Sequence, residues 1–151
     1  MTSDPRVDRI QALVGTRLGP SDWLLVDQER VDRFADATDD HQWIHVDVER
    51  AATGPFGGTV AHGYLTVSLL PALASPLMPT EGFASRLNYG SDKVRFPAPL
   101  RVGTRVRAWS TPVSVDVTDR GVLVKQRVEI EAEGSERPIC VAEALALLIP
   151  G

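Results

Sequence analysis

The chain has one cysteine, Cys140, among its 151 residues, so it can close no disulfide within itself. Cys140 lies in the apolar run Ile139-Cys140-Val141-Ala142, which reads as buried core rather than a reactive thiol. No apolar run is long enough to span a bilayer, and Met1 to Arg9 is polar and charged, without the apolar core of a signal peptide. Basic residues are in the minority: 16 Lys and Arg stand against 20 Asp and Glu, a net charge of −4. Phosphate binding normally needs a basic face, so no nucleic-acid partner is expected. GxSxG is missing, which leaves Ser68 without the strained elbow of a serine hydrolase. HExxH and paired-cysteine patterns are missing too, so no metal is expected. With no repeat, low-complexity tract or linker, the expectation is one cytoplasmic domain over residues 1–151, with no membrane partner.

What is present divides into a helical half and a strand half. Asp4-Pro5 opens a short amphipathic helix carrying Val7, Ile10, Leu13 and Val14, and Gly15 stops it. Trp23 to Val26 suits a short strand. Asp27 can then cap a helix whose buried stripe is Val31, Phe34 and Ala35, fraying near Thr38-Asp39. Gly54 to Gly58 is a loop. From Gly63, the positions Leu65, Leu69, Leu70 and Leu73 suit a buried helix, with Pro71 forcing a kink or an early end. Beyond it, Val94-Arg95-Phe96 and Val102 to Trp109 read as strands. Val122 to Ala132 alternates apolar even positions with Lys125, Arg127, Glu129 and Glu131, which predicts one wet face. Ile139 to Ile149 is apolar at nearly every position, the pattern of a strand covered on both faces. The class predicted is α+β.

The residue types that carry chemistry gather in two short stretches. Asp40 lies five positions before His45, and His62-Gly63-Tyr64 follows at the start of the buried helix. A carboxylate and an imidazole on one pocket can hold and activate a water, and a helix start beside them can stabilise an oxyanion. Five residues is about 500° of helical rotation, so Asp40 and His45 meet only if the chain leaves the helix between them, and Gln42-Trp43 is the turn predicted. The plain alternative is a helix-ending Asp40 and a hydrogen-bonded core His45. A metal site from His41 and His45 with His62 and Asp47 is a further one, although Asp47 serves more simply as the N-cap of Val48 to Ala51. Arg101, Arg105 and Arg107 form either a solvated strand face or a landing site for a phosphate-bearing cofactor. Tyr64 reads as a pocket residue or a helix residue packed on the sheet, and Asn88 as a pocket residue or turn chemistry before Gly90.

Three blocks in this order resemble the MaoC-like, (R)-specific enoyl-CoA hydratases of the hotdog fold, and within them the nodulation-protein-N-like branch. The blocks are Phe34 to Asp47, Gly57 to Gly63, and Asn88 to Pro99, and the likeness runs from about Gly19 to the end. The resemblance implies a single hotdog domain in which an antiparallel sheet wraps a long central helix, usually a dimer with sheets joined edge to edge. It also implies that Asp40 and His45 are the hydratase pair. Two departures stand out. Gln42-Trp43 replaces an Asn-Pro common in the family, and Pro71 stands where some members carry a serine nine residues after the His of the His-Gly pair.

The activity so implied is reversible hydration of trans-2-enoyl-CoA or enoyl-carrier-protein thioesters to (R)-3-hydroxyacyl thioesters, a lyase reaction of fatty acid metabolism. Asp40 and His45 would activate the water, and the backbone N–H of Gly63 would receive the thioester oxyanion. His62, Tyr64 and Asn88 are the substrate-binding candidates. CoA or pantetheine enters as part of the substrate and no other cofactor is expected. A homodimer is the expected assembly. The alternatives are a hotdog acyl-CoA thioesterase and a non-catalytic acyl-binding subunit of a hydratase heterodimer.

Overall fold

The computed structural model describes residues 4–151. Asp4 caps α1 (Pro5–Gln11) through its side chain, as its place before proline predicts. β1 (Leu24–Val26) leads into α2 (Gln28–Thr38), where Asp27 accepts the Arg30 N–H and Val31 and Ala35 are buried. Two short helices follow, α3 (Trp43–Val46) and α4 (Val48–Ala52), with Asp47 capping the second. α5 (Gly63–Ser68) and α6 (Leu70–Ala74) form the central segment, continued by a 3-10 turn at Ser75–Leu77. The break between them falls at Leu69, two residues before Pro71, which supplies no N–H and so begins a new helix instead of continuing the old one. The central segment is therefore two short helices end to end.

The strands β2 (Phe83–Arg95), β3 (Thr104–Thr118), β4 (Gly121–Ala132) and β5 (Cys140–Pro150) join β1 in one antiparallel sheet of order β1-β3-β4-β5-β2. Its concave face closes on the central segment. Leu65, Leu69, Leu73 and Ala74 pack in one cluster with Val106, Ala108, Val128, Ile130 and Ala142. Cys140 is buried there, and burial alone pushes its thiol up to about 11. Among the described residues, no helix is long and apolar enough to cross a membrane.

Three strand expectations are corrected. β2 begins at Phe83, well before Val94, and Phe96 lies beyond its end. Nearly all of β2 is exposed, so no one-sided hydrophobic pattern marks it in the sequence. β3 runs on through Pro112 to Thr118, because β1 pairs only with Thr104 to Val106 and leaves that edge free of ladder partners at Pro112. On β5 the inner residues Ala142, Ala146 and Leu148 are buried, but on the outer face only Leu147 is, with Val141, Glu143 and Leu145 half-exposed.

β4 follows its alternation closely: Val122, Val124, Val128 and Ile130 are all buried. Gln126 shares that face and is 1% exposed, the one amide in an apolar row. Its Oε1 accepts a hydrogen bond of 2.8 Å from Ser110 Oγ, itself buried on β3. Removing the hydroxyl would leave a buried acceptor without its donor, so Ser110→Ala is expected to cost about 1–3 kcal/mol. The measurement is the shift in urea midpoint at constant m-value, and a change within a few tenths of a kcal/mol would show the pair to be unimportant.

Candidate active site

α2 ends because its last residues give the backbone other partners. Thr38 Oγ1 donates to the Phe34 carbonyl, and Asp39 takes a left-handed conformation at φ 58°. Short polar side chains tolerate that conformation better than most, so the reversal costs little here. The chain thus leaves the helix at Asp39, three residues before the Gln42-Trp43 turn that the spacing predicted. Gln42-Trp43 instead begins α3, and its one turn carries His45 inward to 7% exposure.

His45 Nδ1 lies 2.6 Å from the Val60 carbonyl oxygen. A carbonyl can only accept, so Nδ1 carries the proton and Nε2 of the neutral ring presents a lone pair. The turn is held from behind as well. Gln28 Nε2 donates to the His45 carbonyl at 2.8 Å, and Gln28 Oε1 accepts from Thr59 Oγ1 at 2.7 Å. Gln28 and Thr59 carry no motif, and their separations in sequence gave no signal for this role.

His62 caps no backbone group with its side chain, yet it is buried to 2%. Its ring stacks on His45 at 3.8 Å between centroids and 22° between planes, with Phe34 against it at 4.9 Å. Its Nε2 donates to the Asp40 carbonyl at 2.9 Å, which ties the loop after α2 to the start of α5. The Asp40 carboxylate stays half-exposed, with Oδ2 at 4.0 Å from His62 Nε2. Polar atoms of Asp40, His45 and His62 all fall within 4.8 Å of one another. The same three groups could meet a cation. His41 and Asp47 do not join them: His41 is exposed and bonds Asp36 at 2.8 Å, while Asp47 caps α4.

Gly63 is the first residue of α5, where backbone N–H groups have no partner within the helix. A Cβ there would come within 2.7 Å of the Phe96 ring, so the ring of a residue just beyond β2 closes over this backbone. Tyr64 is 76% exposed and meets Phe96 edge-on at 6.4 Å, so it packs on that ring and not on the sheet. Asn88 is elsewhere. It lines a cavity of about 390 Å³ between the central segment and β2, β4 and β5, beside the β2 bulge at Asn88/Gly90. Arg86 lines it too, a residue with no sequence signal. The arginine cluster is a solvated face: Arg105 and Arg107 pair with Glu133 and Glu131, and Arg101 donates to the Phe56 carbonyl.

The molecule is thus an antiparallel sheet curled about a helical segment, with an acid and two imidazoles at that segment's start. The MaoC like domain family matches residues 9–133. A 3-hydroxyacyl-thioester dehydratase Z of Mycobacterium tuberculosis is 51% identical over 137 residues, covering 90% of this chain and 91% of that protein. A nodulation protein N of Rhizobium leguminosarum bv. viciae is 43% identical over 142 residues, covering 92% and 88%. The solved (R)-hydratase from A. caviae, involved in PHA biosynthesis, superposes with a TM-score of 0.71 at 23% identity, over 89% of this chain and 96% of that one. The chain belongs to the MaoC-like family, and its fold is the hotdog.

The Asp36 carboxylate beside His41 raises the imidazole's pKa above its usual value, with Asp39 and Asp40 adding to the effect. A pKa raised by folding contributes stability that is full below the unfolded value and fades as pH rises through the folded one. His41→Gln is therefore expected to lower Tm at pH 5.5 and leave it nearly unchanged at pH 8.5. An equal loss at both pH values would show that the ion pair is not the cause.

Proposed function

We propose that this chain, acting as one hotdog domain over residues 1–151, hydrates trans-2-enoyl thioesters reversibly to (R)-3-hydroxyacyl thioesters. One observation carries the reading: the bond from Nδ1 to the Val60 carbonyl makes Nε2 the lone-pair nitrogen of a neutral His45, and one polar atom each of Asp40, His45 and His62 lie within 4.8 Å of one another. Asp40 and His45 hold a water over the β-carbon of the substrate. As its oxygen bonds to that carbon, the pair takes up one proton and returns one to the α-carbon on the same face, so the elements of water are added and nothing is left over. Charge that moves onto the thioester oxygen is met by the Gly63 N–H. α5 is only six residues long, so the free N–H matters here more than any helix dipole. No cofactor is required beyond the CoA or pantetheine of the substrate.

His62 serves as the clamp that sets Asp40 against His45, and Tyr64 and Phe96 flank the entrance. The names of the relatives, a thioester dehydratase at 51% identity among them, favour this reaction over thioester hydrolysis. β2 supports a homodimer. It is a sheet edge of 13 residues with Leu87 and Tyr89 about half exposed, and long exposed edges are normally paired or blunted. The cytoplasm, where acyl thioesters are used, is the proposed location.

The test follows the loss of enoyl-thioester absorbance with short- and medium-chain trans-2-enoyl-CoAs, with the product's chirality assigned. Asp40→Asn and His45→Gln are each expected to lower kcat by about 10²- to 10⁴-fold, the half-exposed Asp40 with little change in Tm and the buried, stacked His45 with a lower one. Release of free thiol from a saturated acyl-CoA would replace this reading with a thioesterase. Binding without turnover would point to a non-catalytic subunit. Gly63→Ala tests the oxyanion donor separately. The half-exposed Phe96 ring can swing aside, so the variant is expected to fold with a loss below about 1 kcal/mol. Its kcat should nonetheless fall by about tenfold or more, because the methyl group crowds the approach to the N–H. Unchanged kcat would remove Gly63 from the mechanism.

A further inference from the structure

The cavity lined by Asn88 has apolar walls from Val67, Leu70, Pro71, Ala74 and Ala146, and none of its lining residues is acidic. It also contains one cation, Arg86. Arg86 and Asn88 pair across the sheet with Leu148 and Ala146, both buried, so they stand on the concave face with those residues. Arg86 Nη1 is buried and has no hydrogen-bond partner among the described residues. Burial lowers the guanidinium's pKa from its usual value, and no charged neighbour opposes this.

Arg86 is half-buried and its inward Nη1 lacks a partner, which is costly, and a fold that needed only bulk at this position would be better served by an apolar side chain. The planar fork of arginine matches a carboxylate, which it can bind through two parallel bonds. Position along the central segment says which part of a ligand arrives there. Val67 lies one helical turn beyond Gly63, about 6 Å along the axis, and Ala74 lies roughly 16 Å beyond it. A thioester held with its carbonyl at the Gly63 N–H and its acyl chain laid along α5 and α6 would bring the far end of that chain to this cavity.

We infer that Arg86 reads an anionic oxygen group on the far end of the acyl chain, so that the preferred substrates are thioesters whose chain ends in a carboxylate. The inference rests on the hydratase reading for the substrate's orientation. It goes beyond that reading in assigning the cavity a polar end and naming the residue that provides it. Arg86 is a specificity residue and takes no part in moving protons. Asn88, on the same face, can donate a further hydrogen bond to the same group.

The experiment compares medium-chain trans-2-enoyl-CoAs that end in a carboxylate with matched chains that end in a methyl group. Wild type, Arg86→Leu and Arg86→Lys are measured, the last in case the leucine variant fails to fold. The wild type is expected to favour the carboxylated substrate in kcat/KM. Arg86→Leu should lower kcat/KM for that substrate by about 10- to 100-fold and leave the methyl-ended one within about threefold. Arg86→Lys should retain part of the preference. Calorimetric affinities for the saturated carboxylated and methyl-ended acyl-CoAs are measured alongside. If no enoyl thioester turns over, the hydratase reading fails, and these affinities still decide the role of Arg86.

Several results would overturn the inference. One is a wild type without preference in both turnover and binding. Another is an equal loss on both chains that vanishes with pantetheine thioesters, which would give Arg86 to the CoA phosphates. The last is dissociation of a dimer by Arg86→Leu, which would make it an interface residue.

Discussion

The stack of His62 on His45 is the contact on which the site's geometry depends. Three separate pieces of chain meet there: the loop after α2, the single turn of α3 and the residue just before α5. His62 holds the loop through the Asp40 carbonyl, and the Val60 carbonyl holds His45. Both bonds use backbone acceptors, so the imidazoles are oriented without committing any carboxylate. Asp40 keeps its charged oxygens toward solvent, where an incoming water can reach them. Were a side-chain acid to orient His45 instead, the site would contain a second negative charge beside Asp40.

The sheet supplies the complementary constraint. Its concave face is apolar and closes on the central segment. The polar departures on that face are few and of two kinds. Gln126 is satisfied by Ser110 and acts as structure. Arg86 has no such partner and faces a cavity. Two polar side chains on one apolar surface thus have opposite standing, and hydrogen-bond satisfaction is what separates them.

Much of this was legible in the sequence, and the remainder was hidden for identifiable reasons. Helix caps at Asp4, Asp27 and Asp47 could be read because the acceptor lies within three residues of its donor. The alternation of β4 could be read because one of its faces is wet. The break before Pro71 followed from the chemistry of proline. β2 was read only at its end, Val94-Arg95, because the exposure of nearly all of its earlier residues erases periodicity. The fraying of α2 at Thr38-Asp39 could be read from its short polar side chains, whereas the turn expected at Gln42-Trp43 was misplaced, because those residues begin α3. The bond that makes His62 an ordering residue could not be assigned from the sequence, because its acceptor is a backbone carbonyl 22 residues away and no side-chain pattern encodes that. Gln28 and Arg86 depend entirely on tertiary neighbours.

The discontinuity at Leu69 divides the central segment into two parts that answer to different selective demands. In the proposed reaction α5 presents its first N–H to the thioester carbonyl and tolerates little displacement. α6 lines the cavity with small residues, Pro71 and Ala74 among them, and is joined to α5 through one non-helical residue. A rigid rod would transmit any change in the lining back to the catalytic end. A jointed one lets the depth and shape of the recess drift while the reacting geometry stays put, so substrate range in this lineage is free to diversify without each change having to re-establish the chemistry.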